Sequence, residues 1–138
     1  LSIPKIKNSI TITNPPYLTN YSAKRKGIYK SVEKYFNLCN YDDIYQLAIE
    51  NCLVNDFGVM IVPETFINSR FPKNRLTSIT IIENQLFDDT ENPVCVICFD
   101  GKDKAYDQIN VYKNSHLIGN LGHFEKMRKV PQKNMYMK

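Results

Sequence analysis

A chain of 138 residues with 43% apolar side chains can bury one ordinary core and is too short for two. Its net charge of +4 is a mild basic excess, compatible with an anionic partner without requiring one. No apolar run approaches a membrane span, and the opening LSIPKIKNSI lacks the apolar core of a secretory signal; a soluble cytoplasmic protein with no membrane partner is expected.

In chain order, SITIT (9–13) is a β-branched run broken at Asn14-Pro15, expected as a buried strand ending in a loop. YLTNYSAKRKG is polar and basic and reads as a long loop. IYKSVEKYFN fits a helix ending near Asn37. YDDIYQLAIENCLV (41–54) is the clearest helix. Ile44, Leu47, Ala48 and Cys52 recur there at helical spacing, and Asp42 and Asp43 stand at the positive end of the dipole.

NDFG then turns the chain into VMIVP (59–63), a continuous apolar strand stopped by proline. A short helix from Glu64 to about Ser69 is expected next, followed by the polar link RFPKN. LTSITIIE (76–83) and PVCVICF (93–99) read as two more strands joined by NQLFDDTEN, and QINVY as a final one. GHFEKMRKVPQKNMYMK is basic and without pattern. Strands alternating with helices point to an α/β domain, its continuous apolar strands forming a mostly parallel sheet covered on both faces.

The four cysteines are Cys39, Cys52, Cys95 and Cys98. VCVIC places two of them three apart in a strand, where they face opposite ways and cannot chelate together. The spacing of His116 and His123 is also longer than a zinc finger allows. No metal site is expected, and the thiols read as buried or incidental ones in a reducing compartment.

The most informative stretch is ITITNPPY. In open α/β sheets ligands bind beyond the carboxyl ends of strands, and Asn14-Pro15-Pro16-Tyr17 lies at such an end. Such a loop can hold a planar amino group. The Asn14 side-chain carbonyl and the Pro15 main-chain carbonyl are two acceptors for its two hydrogens. Drawing the nitrogen toward a tetrahedral shape frees a lone pair otherwise delocalised into the ring. The prolines fix the loop with φ near −65° and offer no competing N–H, and Asn14, preceding a proline, is pushed to an extended conformation. Tyr17 adds a flat face for stacking. The alternative is a plain turn that ends a strand.

From Ser9 to about Gly101 the chain resembles the adenine-specific amino-group DNA methyltransferases of restriction–modification systems. ITITNPPY matches the family's strand and [DNS]PP[YFW] loop, and YDDIYQLAIENCLV its following helix. FGVMIVPETFINS matches a strand ending in proline with an aromatic soon after, and LTSITIIENQLFDDTENPVCVICFDG the later strand pair. The resemblance implies a partial Rossmann-like, S-adenosylmethionine-dependent α/β sheet. Its last core strand, 93–99, should run antiparallel between 58–62 and 77–83. Asn14, Pro15, Pro16 and Tyr17 would form the catalytic loop. Tyr17 would stack on a base flipped out of double-stranded DNA, and Phe99 would pack on its other side, with a plain core phenylalanine as the alternative. Lys24, Arg25, Lys26 and Lys30 are candidates for phosphate contact or for a solvated basic loop.

The departure from the family is large. Gly27, Gly58, Gly101, Gly119 and Gly122 all lie beyond the loop, and none forms the glycine-rich turn that holds S-adenosylmethionine. The chain also opens on Leu1 rather than methionine. It is therefore expected to be part of a longer protein, partnered by a missing N-terminal half and inactive in isolation. Residues 1–105 would be the C-terminal half of the catalytic domain and 106–138 an extension toward a DNA-recognition region. Two rival readings remain: a methyltransferase for an RNA base or a protein glutamine amide, and a non-catalytic remnant or binding module.

Overall fold

In the computed structural model the described residues are 3–17, 20–37, 43–83 and 93–129. Six strands form one mixed sheet: β1 (Ile10–Thr13), β2 (Phe57–Pro63), β3 (Leu76–Ile82), β4 (Val94–Phe99), β5 (Asn110–Lys113) and β6 (His116–Asn120). Their spatial order is β1-β2-β4-β3-β5-β6. The helices are α1 (Asn20–Arg25), α2 (Tyr29–Asn37), α3 (Ile44–Cys52) and α4 (Leu121–Lys129), with 3-10 turns at Glu64–Asn68 and Tyr106–Gln108. The expected link 84–92, Tyr41 and Asp42, Cys39 and the tail 130–138 lie outside the described residues.

β4 lies between β2 and β3 and is antiparallel to both, as expected from the sequence. That placement reverses the chain on two sides at once. Antiparallel pairing at β2–β4, β3–β4 and β5–β6 therefore outweighs the parallel pairs β1–β2 and β3–β5, and the expectation of a mostly parallel sheet is corrected.

Cover on both faces is corrected as well. Along β2, Gly58, Met60 and Val62 are buried while Val59 and Ile61 between them are only partly so. The buried face meets Tyr45, Ile49 and Cys52 of α3 in one core with Phe66, Ile79, Cys95, Ile97 and Val111. This stripe differs from the expected one: Tyr45 and Ile49 are in it, and Ala48 is only half-buried. β1 is an edge strand, and Ile10 and Ile12 on its open face are 65% and 78% exposed, not buried as expected.

The polar stretch after the NPPY loop is not all loop. α1 buries Ala23 and ends at Gly27, whose φ of 73° is the left-handed turn that glycine tolerates. Gly27 N–H donates to the Lys24 carbonyl and Ile28 N–H to the Ala23 carbonyl, the paired bonds of a Schellman stop. α3 starts on Asp43, extended at φ −131° and ψ 139°, whose carboxylate accepts from Tyr45 N–H at 3.2 Å.

β6 and α4 arise where no pattern was seen. Ile109, Val111 and Leu121 join the common core, so the boundary drawn after Ala105 coincides with no break in the sheet.

Candidate functional site

β1 pairs with β2 only from Ile10–Phe57 to Thr13–Met60. Past Thr13 the two prolines forbid further ladder donation, because neither has an N–H. The carbonyl of Ile61, one residue beyond the last β1 partner, is met instead by the Tyr17 hydroxyl at 2.9 Å. The loop thus folds over the carboxyl end of β2. Pro15 is buried and anchors it, while Asn14 and Pro16 are exposed and Tyr17 is half-buried. Tyr17 Oη also lies 2.9 Å from Asn14 Oδ1, so the structure brings Asn14 and Tyr17 into direct contact.

Behind the loop stands a column of aromatic rings. Tyr17 meets Tyr45 edge to face, with centroids 6.0 Å apart and planes at 80°. Tyr45 repeats the geometry with Phe66 at 6.2 Å, and Phe66 leans on Phe71 at 5.8 Å. Edge-to-face pairs suit the ring quadrupoles and add about 0.5–1.5 kcal/mol each beyond area burial. Burial, then the nearby Cys95 and Asp43, pushes the Tyr17 phenol up to about 12. Burial and Asp43 do the same for Tyr45. Both therefore remain neutral hydrogen-bond donors at physiological pH. The Cys95 thiol, also pushed up to about 12 by burial and then Glu64, stays protonated beneath them.

Phe99 is not part of this arrangement. It pairs with Gly58 and Leu76, at the opposite end of β2 from the loop. Gly58 and Ile61 are three residues apart, roughly 10 Å along a strand. Its ring fills the space over Gly58, where an added Cβ would fall 2.2 Å from Phe99 Cζ. The core alternative is the one the geometry supports, because an antiparallel strand delivers its carboxyl end to the wrong edge of the sheet for base stacking.

Lys24, Arg25, Lys26 and Lys30 are all exposed on α1, the following turn and the start of α2. Lys24 Nζ sits 4.8 Å from the centroid of the Tyr29 ring. The first 37 residues hold seven basic side chains and one acidic, so the positive charge is concentrated around and just after the loop.

Among the described residues no group of three or more His, Cys, Asp or Glu side chains could hold a metal ion. Cys95 and Cys98 fall on opposite faces of β4, as strand alternation requires. Gly58 is closed by the Phe99 ring, Gly101 faces Asp56, and Gly122 faces the Asp107 main chain.

Two members of the site escaped the sequence reading: Tyr45, which carries the Tyr17 ring, and the Ile61 carbonyl, which holds its hydroxyl. The spacing Tyr45, Ile49, Cys52 was a legible signal for the first. No sequence signal marks the second, since any residue presents the same carbonyl.

No model of a known protein family matches this chain, and no curated protein matches it either. No helix among the described residues is long and apolar enough to cross a membrane.

Proposed function

We propose that the Asn14–Tyr17 loop binds the exocyclic amino group of adenine in DNA, as the target half of an N6-methyltransferase. The observation that carries this reading is the loop itself: an exposed carboxamide and a half-buried phenol, 2.9 Å apart, held at the carboxyl end of an open α/β sheet. The antiparallel insertion of β4, which the resemblance implied, is a second support.

In this reading Asn14 Oδ1 and the Pro15 carbonyl accept the two amino hydrogens. Acceptors on both hydrogens disfavour the planar nitrogen and release its lone pair toward an electrophile. No charged base is needed first, because the nitrogen becomes acidic only once alkylated. Tyr17 offers a ring face for the base, with its ring set nearly perpendicular to Tyr45. The basic side chains from Lys24 to Lys30 supply sequence-independent attraction to phosphates.

The test is methyl transfer by this chain supplied with a cofactor-binding segment, compared on duplex DNA, RNA and a glutamine peptide. Transfer to adenine in DNA is expected, and Asn14→Ala should lower it by about 3 kcal/mol, the order of loss for one preorganised polar group at a reacting centre. Preferential transfer to RNA or to the peptide, or an unchanged single-turnover rate in Asn14→Ala, would overturn the reading.

A further inference from the structure

The Tyr17 hydroxyl stands 2.9 Å from two oxygens, Asn14 Oδ1 and the Ile61 carbonyl. A phenol carries one hydrogen and cannot donate fully to both. The contest between the acceptors is uneven. Ile61 offers a part-buried main-chain carbonyl beyond the last β1 partner, and a buried carbonyl left unpaired is penalised more than an exposed carboxamide. Asn14 is exposed, and its carboxamide can rotate and find water.

A half-turn of the Asn14 carboxamide exchanges its oxygen and nitrogen at nearly the same positions. We propose that Asn14 is held in this turned state by the Tyr17 hydroxyl. Asn14 Nδ2 donates to Tyr17 Oη, Tyr17 Oη donates to the Ile61 carbonyl, and Asn14 Oδ1 faces outward. Each donor then has an acceptor, and no two acceptors compete for one hydrogen.

The consequence deepens the proposed function and takes its meaning from it. With Oδ1 against Tyr17, the loop would present Asn14 Nδ2, a donor, to an incoming amino group that is itself a donor. With the carboxamide turned, it presents an acceptor. Tyr17 would then be a positioning residue through its hydroxyl as well as a stacking surface through its ring, and the two roles separate in Tyr17→Phe. Tyr45 sets where that hydroxyl lies, since its ring holds the Tyr17 ring edge-on. The raised affinity of the Tyr17 oxygen for its proton keeps the donor in place.

The experiment is side-chain amide NMR on the isotopically labelled 138-residue chain and on Tyr17→Phe. The expected result is one Asn14 Hδ2 proton with slowed solvent exchange and a cross-relaxation signal to Tyr17, with the slowing lost in Tyr17→Phe. An unchanged main-chain spectrum shows that the variant is folded. Both Hδ2 protons exchanging like a free carboxamide in the two proteins would overturn the proposal. Deoxyadenosine monophosphate and its analogue lacking the 6-amino group then serve as probes. Shifts at Asn14 from the first alone support the outward acceptor. If neither nucleotide shifts Asn14 while the slowed exchange persists, the amino-group reading fails and the orientation stands.

Discussion

Asn14, Pro15 and Tyr17 were legible as a candidate site because their chemistry is local: a proline-fixed loop and an acceptor need no distant partner to be read. Phe99, read from the sequence as a stacking ring or a core residue, packs in the core for a physical reason that the sequence already contained. A strand expected to run antiparallel to its neighbours must end at their amino ends, away from a loop at their carboxyl ends. The two rings should therefore separate by measurement. Phe99→Ala should destabilise the fold by about 3–5 kcal/mol and leave base binding by the folded protein unchanged. Tyr17→Ala should weaken binding of an adenine-bearing single strand by about 1–3 kcal/mol. Denaturant melts and fluorescence titration with a base analogue report the two quantities, and a base-binding loss in folded Phe99→Ala would restore its stacking role. The tyrosines also set an alkaline limit. Tyr17 and Tyr45 hold their protons up to about 12 against an ordinary value of 10.0. Folding favours their neutral forms, so this stability is complete below pH 10 and falls as pH rises toward 12. An ultraviolet titration should show Tyr17 and Tyr45 ionising late, together with unfolding. Ionisation of both near pH 10 in the folded chain would contradict the packing around the loop.

At the scale of elements, the strands were readable because β-branched and apolar runs bounded by proline and glycine leave few alternatives. β6 and α4 were missed because few of their residues join the core, and Leu121 is the one buried residue among those described in α4. α1 was missed although its stop was visible: Lys24 and Arg25 before Gly27 suit a helix terminus with a left-handed glycine. Gly58 could not be understood from sequence at all. Within a strand, Gly→Ala normally gains roughly 0.5–1 kcal/mol, so propensity alone favours Gly58→Ala. The Phe99 ring occupies the space a Cβ needs, and forcing extra atoms into a packed core costs about 1–3 kcal/mol. The steric term is the larger. Gly58→Ala should lower the urea midpoint, and a raised midpoint would mean that Phe99 moves aside freely.

For the whole molecule, β1 forms one edge of the sheet among the described residues, and Ile10 and Ile12 on it and Phe57 on the neighbouring β2 are 65%, 78% and 53% exposed. An edge strand of this kind is a template for pairing with another strand. Its charge is divided as well: the basic excess sits in the first 37 residues, around and beyond the loop. Fold class and most of the loop were thus legible from local chemistry, whereas the open edge, the aromatic column and the placement of Phe99 depend on which strands become neighbours. The central claim is narrower than any of these: the loop recognises an amino group. It is tested by titrating the 138-residue chain with two single-stranded oligonucleotides, one carrying adenine and one the purine lacking its 6-amino group. Adenine should bind several-fold more tightly, the yield of one or two net hydrogen bonds, and Asn14→Ala should remove most of the preference while leaving stacking on Tyr17. Equal affinity for the two purines in the unmodified chain would contradict it.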